Sequence, residues 1–293
     1  MPQTPYNREM QYEPSLTDQE VIDFCRNGYL MLPGVVPEET NRQVLDYLEH
    51  SNSSYEPTPI MEEDWFVNDV LMNAAAAGAV RSLLGDKFTL PAIISNHRGP
   101  LPCAAQSWHR DGGSIYTPRL DYLQVFYIPE ACSDDMGPTV LLPGSHFMRT
   151  KAPMMAHYGT LKGTVSTAGP AGSIFLTVYS IWHKRSAATS GPKYISKYRN
   201  LLKYNYWRTQ HPIRDWVTDD EFDFSHTRFD PPSGAFEQFQ GGISAAKMFC
   251  WLCGIEDEYE KKGGQCWPIA NTVPEGLDQM GTPISLRNEQ LLR

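Results

Sequence analysis

The sequence predicts a mainly β protein with flanking helices, an α+β chain built on a double-stranded β-helix, or jelly roll. Three observations support this prediction. Before about residue 87, capping residues and apolar faces at helical spacing indicate helices. From residue 88 to 208 the apolar stretches become short and are bounded by Gly, Pro, Asn and Asp, which is typical of several short strands. Aromatic residues make up 12% of the 293 residues, a proportion that suits a pocketed β-rich core.

The first part of the chain predicts a flexible tail over residues 1–15 and a helical buttress over residues 16–87. Candidate caps, apolar faces at helical spacing and terminal glycines mark the elements of this buttress. In order, they are a helix from Ser15 or Thr17 to Gly28, a strand Tyr29–Leu32, a helix beginning after Pro37 and an alanine-rich helix over residues 66–84.

Residues 88–208 predict the jelly-roll core, because helices before and strands after are typical of that architecture. The predicted strands are Phe88–Ser95, Ala104–His109, Tyr122–Ile128, Thr139–Leu142, Gly163–Thr167, Ser173–Ile181 and Leu201–Trp207. Residues 209–293 contain an acidic stretch and a possible short helix near 243–262, and we interpret them as a C-terminal elaboration over the barrel. With no repeat and no linker in view, we expect a single domain spanning residues 1–293.

Bulk composition excludes several classes of partner. A formal charge of −9 argues against a nucleic acid or an anionic membrane, since both need a cationic surface. The chain has no apolar run long enough for a membrane span, and its polar start has no signal-peptide core, which predicts a cytoplasmic protein. Six scattered cysteines predict free thiols, and the C-x-x-C pair Cys250 and Cys253 is by itself weak evidence for a metal or redox site.

The segment Trp108–Gly112 carries the central chemical signal. Residues two apart in a strand point to the same face, so His109 and Asp111 can reach one metal ion together. Two histidines and one carboxylate on one face of an octahedron leave open positions, the arrangement of non-haem Fe(II) oxygenases. An H-x-D by itself occurs often by chance, and the alternative is a His–Asp hydrogen bond at a surface strand end.

A third ligand is predicted at His183, which follows the strand Ser173–Ile181 at the opposite part of a barrel. His146 and His157 compete for this role. His146 lies in a turn after a strand, where a structural hydrogen bond is the simpler interpretation, and His157 lies in a Met-rich loop.

Arg199, at the start of the last predicted strand, is the candidate for binding a carboxylate of a cosubstrate. The planar guanidinium meets a carboxylate through two parallel hydrogen bonds. Lys197, Lys203 and Arg208 compete for the role, and Lys203 shares the strand parity of Arg199. The alternative is a solvated residue at the start of a strand.

Together these pieces resemble the phytanoyl-CoA dioxygenase (PhyH) family over roughly residues 17–208. The ordered set is more specific than any one piece: SWHRDG, YLQVFYIPE, MGPTVLLPGSH, AGSIFL followed by IWH, and YRNLLKYNY. The resemblance implies a jelly-roll core, Fe(II), and 2-oxoglutarate and O₂ as cosubstrates, with succinate, CO₂ and usually a hydroxylated product.

Matched residue by residue, the resemblance assigns iron to His109, Asp111 and His183, and 2-oxoglutarate to Arg199. It also implies cosubstrate contacts for Gln106 and Thr139, although Gln106 has the opposite strand parity to His109 and needs a bulge to reach the site. Two features depart from the family pattern. The stretch between His183 and Arg199 is longer than usual and lacks the common Asn, and the tail beyond residue 208 has no counterpart.

The resemblance also bears on the reaction and its partners. Halogenating relatives replace the carboxylate ligand by a small residue, so Asp111 favours hydroxylation or another oxidation. We expect a small organic substrate, in specialised metabolism, with no nucleic acid or membrane partner and a possible homodimer. Two other classes stay open: a cupin-like metal enzyme that does not use 2-oxoglutarate, and a catalytically silent jelly-roll binding protein.

Overall fold

A computed structural model describes residues 12–113, 117–148, 152–190, 198–222 and 235–258. The helices in these ranges are α1 (Asp18–Asn27), α2 (Glu38–His50), α3 (Asp64–Phe66), α4 (Ala74–Leu84), α5 (Ala152–Met155) and α6 (Ala235–Leu252). The strands are β1 (Tyr29–Leu32), β2 (Phe88–Thr89), β3 (Ser95–Asn96), β4 (Gly99–Pro100), β5 (Tyr122–Ile128), β6 (Thr139–Leu141), β7 (Val165–Ser166), β8 (Ser173–Val178), β9 (His183–Arg185), β10 (Tyr198–Arg199) and β11 (Leu202–Arg208).

The first helix has the ends that its sequence predicts. Thr17 is the N-cap, and it forms a capping box in which the side chains of Thr17 and Glu20 each accept a backbone N–H of the other residue. Gly28 ends the helix in the left-handed conformation, with a φ of 80°. Strand β1 follows at once, as predicted.

The predicted continuous helix over residues 66–84 is wrong. The chain instead forms the short α3, a π turn Val67–Leu71, and then α4. The break lies at Asn73, whose backbone is extended and whose side-chain oxygen accepts from the N–H groups of Ala75 and Ala76. An asparagine that caps the next helix cannot continue the previous one.

The major sheet is antiparallel and has the order β1-β8-β5-β11-β2, with β3 also paired to β11. A smaller sheet has the order β7-β6-β9, and β10 pairs with β4. The ring of Phe126 on β5 stacks on Phe175 of β8 and lies 5.9 Å from the ring of His183 on β9. The small sheet therefore faces the side of the major sheet that carries Phe126, and the predicted jelly-roll architecture is confirmed.

The opposite face of the major sheet packs on the helices. Val125, Tyr127 and Tyr204 alternate with the residues of the first face and belong to one buried cluster with Phe24 of α1 and Val80 of α4. This alternation assigns one face of the sheet to the core and leaves the other face for a site.

Two of the predicted strands are wrong. The predicted strand Ala104–His109 makes only one isolated bridge, at His109, and the residue before it, Cys103, makes another. The predicted strand Phe88–Ser95 is divided into the two-residue strands β2 and β3.

Within residues 209–222 and 235–258, the C-terminal segment contacts the N-terminal helix. The predicted packing of residues 209–293 over the barrel stays a prediction. Helix α6 packs on α1, and it begins earlier than the predicted 243–262. Asp18 on α1 is fully buried and accepts hydrogen bonds from Arg214, Trp216 and the backbone N–H of Asp219. Residues 1–11 of the predicted tail and residues 259–293 lie outside the described ranges, so the single domain stays a prediction.

Five cysteines fall within the described ranges and all five are free thiols, with Cys250 and Cys253 buried at the end of α6. Cys266 lies outside these ranges. None of the described helices combines the length and the apolar character that a bilayer span requires.

Candidate metal centre

His109 and His183 are neighbours in an isolated antiparallel bridge. The backbone N–H of each donates to the carbonyl of the other at 3.0 Å, and the two ring centroids are 4.4 Å apart. His183 also begins β9, which pairs with β6 opposite Leu141. The strand end therefore brings together two histidines that are distant in sequence.

Both imidazole rings are held in the tautomer that a metal needs. Nδ1 of His109 lies 2.9 Å from the carbonyl of Ser107, and Nδ1 of His183 lies 3.1 Å from the carbonyl of Ile181. Because a carbonyl only accepts, each Nδ1 carries the proton and each Nε2 offers a lone pair. Burial, followed by the neighbouring His183, lowers the pKa of His109 and favours the neutral ring.

Asp111 completes the cluster from a turn rather than from the strand that the sequence predicts. It begins a 3₁₀ turn Asp111–Gly113, in which Gly112 has a φ of 58°. Oδ2 of Asp111 lies 3.3 Å from Nε2 of His183, and the three ligand atoms of His109, Asp111 and His183 all lie within 4.8 Å of one another. The intervening Arg110 points elsewhere, to the carbonyls of Ser145 and Met148.

The Asp111 carboxylate is fixed by two donors on strands of the major sheet. Gln124 on β5 and Lys203 on β11 each donate to Oδ2 at 2.7 Å. Burial raises the pKa of Asp111, but its neighbours outweigh burial, among them Lys203 through its charge and hydrogen bond, and they hold the pKa well below its usual range. The group is therefore an ionised carboxylate, and the donor set of two imidazoles and one carboxylate fits a facial three-ligand metal site.

A pocket of about 140 Å³ opens beside the two histidines. Arg199, Gln106 and Thr139, the three predicted cosubstrate residues, all line it. Arg199 is only 5% exposed and donates to the carbonyl of Gly137. Burial lowers the pKa of the Arg199 guanidinium.

A bulge resolves the parity problem at Gln106. Cys103 bridges Ala188 and the N–H of Gln106 donates to the carbonyl of Arg185, yet His109 bridges His183. From Gln106 to His109 the chain therefore advances three residues, while the facing segment from Arg185 to His183 advances two. The extra residue turns Gln106 toward the pocket.

The competing cations have other partners. Lys203 pairs with Asp111, and Arg208 donates to the carbonyls of Leu83 and Leu120. Lys197 lies outside the described ranges.

The competing histidines are likewise elsewhere. His146 is buried, its Nε2 lies 2.9 Å from the carbonyl of Cys25, and burial lowers its pKa to about 3, which agrees with a structural role. His157 is exposed.

Sequence reasoning did not identify Arg98, Arg185 or Phe126 as pocket residues. Arg185 could have been found by parity, since it lies two residues after His183. His97 also lines the pocket, and burial together with the charge of Lys203 lowers its pKa to about 4.

Comparisons with known proteins identify a family and a shared fold. The model of the phytanoyl-CoA dioxygenase (PhyH) family matches residues 24–193. No curated protein matches the chain.

Solved structures share the fold at low sequence identity. HygX from Streptomyces hygroscopicus, with nickel and 2-oxoglutarate bound, is 15% identical with a TM-score of 0.53, covering 70% of this chain and 91% of that one. EctD from S. alaskensis with bound Fe is 16% identical with a TM-score of 0.53, covering 80% and 91%. The epimerase SnoN from nogalamycin biosynthesis, in complex with Fe³⁺, alpha ketoglutarate and nogalamycin RO, is 15% identical with a TM-score of 0.51, covering 65% and 83%.

Proposed function

This chain belongs to the phytanoyl-CoA dioxygenase (PhyH) family, and from that premise we propose that His109, Asp111 and His183 hold its Fe(II) while Arg199 binds 2-oxoglutarate. As a member of the family, the protein is an Fe(II)/2-oxoglutarate-dependent dioxygenase. The observation that carries the residue assignment is the convergence of three metal-ligating side chains beside a pocket with a buried arginine.

At the metal, the side chains supply a prepared ligand set. The carbonyls of Ser107 and Ile181 fix the two imidazoles, so both Nε2 lone pairs are available without reorganisation. Lys203 and Gln124 hold the Asp111 carboxylate in place. When bound, Fe(II) supplies the activation of O₂ that couples decarboxylation of 2-oxoglutarate to substrate oxidation.

In the pocket, Arg199 provides the charge for the far carboxylate of 2-oxoglutarate. A buried guanidinium suits this role because its planar fork can donate two parallel hydrogen bonds to a carboxylate. Thr139 and Gln106 add a hydroxyl and an amide to the same wall of the pocket. These polar groups orient the cosubstrate, while Phe126 and Leu201 exclude water from one side.

The expected reaction is hydroxylation of a C–H bond in a small organic molecule of specialised metabolism. Asp111 occupies the carboxylate position, which supports oxygen transfer rather than halogenation. The epimerase SnoN, from nogalamycin biosynthesis, was solved with nogalamycin RO bound, and this supports a small-molecule substrate of specialised metabolism. Self-association as a homodimer stays a prediction.

Anaerobic addition of Fe(II) and then 2-oxoglutarate tests the proposal. We expect the weak visible charge-transfer band that arises when the keto acid chelates the metal, and succinate release once O₂ and a substrate are added. His109→Ala or Asp111→Ala should abolish iron binding with the fold retained, whereas His211→Ala, a change at an exposed histidine, should leave both signals intact.

Arg199→Gln separates the alternatives. It should weaken 2-oxoglutarate binding at least about thirtyfold, because truncating one partner of a buried charge pair costs about 2–5 kcal/mol. Iron binding without any response to 2-oxoglutarate would favour a metal enzyme that does not use this cosubstrate. A well-folded protein that binds no iron would favour a silent binding protein.

A further inference from the structure

Arg185 is a second arginine in the pocket that contains Arg199. It lies two residues after His183 on β9, and residues two apart on a strand point to the same face. Arg185, Arg199 and His183 accordingly line the same pocket. The neighbouring Lys184 points the other way, with Nζ 2.5 Å from the carbonyl of Gly159.

A glycine opposite Arg199 makes room for the Arg185 guanidinium. Gly99 on β4 is the cross-strand partner of Arg199 on β10. A Cβ at Gly99 would lie 2.8 Å from Nη1 of Arg185, closer than real contacts allow. The Cβ atoms of directly paired residues lie about 4.5–5.5 Å apart. The Arg185 guanidinium therefore occupies the space next to Arg199 in which a side chain at position 99 would otherwise lie.

Among the described residues, neither of the two guanidinium groups has a counter-ion. Arg185 donates to the carbonyl of Ala104 at 3.2 Å, and Arg199 donates to the carbonyl of Gly137. Across the described ranges, no carboxylate forms an ion pair with either group, and Nε of Arg185 is buried without an acceptor. Arg98, in the same pocket, does pair with Glu49 at 2.9 Å.

A buried guanidinium and a half-buried one in the same pocket destabilise each other until an anion lies between them. A single carboxylate has about four acceptor sites and can take hydrogen bonds from both arginines. The pocket, at about 140 Å³, has room for one small ligand that reaches from the histidines to this pair.

We infer that Arg185 and Arg199 jointly bind the far carboxylate of 2-oxoglutarate, which makes Arg185 a second binding residue that selects a dicarboxylate cosubstrate. This inference rests on the proposed function.

Calorimetric titration of the anaerobic Fe(II) protein tests the inference with two ligands of equal chain length. One is 2-oxoglutarate, and the other is 2-oxopentanoate, which has a methyl group in place of the far carboxylate. Arg185→Gln should weaken 2-oxoglutarate binding about tenfold to hundredfold, the contribution of a hydrogen bond to a charged group, and leave 2-oxopentanoate binding unchanged. Arg185→Lys, which keeps the charge, should lie between wild type and Arg185→Gln, and the control Lys184→Gln should match wild type.

A double-mutant cycle separates joint from independent binding. If both arginines bind one carboxylate, the loss in the Arg185→Gln/Arg199→Gln protein will be smaller than the two single losses combined. Strictly additive losses, or equal weakening of both ligands by Arg185→Gln, would overturn the inference, as would unchanged affinity for 2-oxoglutarate. A wild-type protein that fails to bind 2-oxoglutarate at all would instead contradict the proposed function.

Discussion

The turn at Gly112 gives a sharp test of how the backbone positions the carboxylate ligand. Gly112 has a φ of 58°, a conformation that costs an L residue roughly 1–2 kcal/mol. A Cβ there would also lie 2.8 Å from the hydroxyl oxygen of Tyr179, so the side chain or the turn must move. Gly112→Ala therefore raises the free energy of this turn, which lies immediately beside Asp111, by at least about 1–2 kcal/mol.

That cost must appear in one of two measurements. If the turn keeps its shape, the folded state loses stability, and the melting temperature falls by about 2–4 °C per kcal/mol. If the turn relaxes, Asp111 leaves its position and metal binding must restore it, which weakens iron affinity by a factor of about 5–30. Thermal unfolding of the metal-free protein and anaerobic iron titration together capture the whole effect.

Two variants isolate the causes. Gly163 has a φ of 80°, and a Cβ at that position would have no other atom within 4 Å, so Gly163→Ala should lower stability without changing iron affinity. Adding Tyr179→Phe to Gly112→Ala removes the clashing oxygen and should recover part of the loss. The reasoning is refuted if Gly112→Ala changes neither the melting temperature nor the iron affinity.

Three further predictions concern side chains around the site and the helices. Gln124→Leu removes a donor from the Asp111 carboxylate and should weaken iron binding about tenfold to hundredfold, measured by anaerobic titration. His146 has a pKa of about 3 in the folded protein against 6.5 in the unfolded chain. As the pH falls from 6.5 toward 3, only the unfolded chain gains this proton, so stability should drop by up to roughly 1.4 kcal/mol per pH unit. Denaturant titrations at about pH 7 and about pH 5 should show a smaller drop for His146→Gln than for wild type. Asp18→Ala leaves Arg214 without its buried partner and should cost about 3–5 kcal/mol of unfolding free energy in urea titrations, with the iron site unaffected in the folded protein.

The sequence correctly predicted those helices and strands whose ends depend on residues within or next to the element. Thr17 and Gly28 begin and end α1 because a cap hydroxyl and a left-handed glycine act within one helical turn. Strand β5 has the predicted bounds, Tyr122–Ile128, because its residues alternate between two different environments. The ordered set of motifs that resembles the PhyH family predicted that His109, Asp111 and His183 meet, and these three residues do cluster.

The features that the sequence did not predict depend on how segments distant in sequence pair with one another. The bulge between Gln106 and His109 depends on how that segment meets β9, and no local residue pattern specifies such a register. The support of Asp111 by Gln124 and Lys203 depends on the alignment of β5 with β11. The Arg185 guanidinium has space in the pocket because Gly99, on a different strand, has no side chain there.

A crystal structure of the protein exposed anaerobically to Fe(II) and 2-oxoglutarate tests the central claim most directly. The account predicts one iron ion bound by Nε2 of His109, Nε2 of His183 and a carboxylate oxygen of Asp111, with the far carboxylate of 2-oxoglutarate on Arg199. Iron bound at any other residues, or a keto acid that lies away from Arg199, would contradict it.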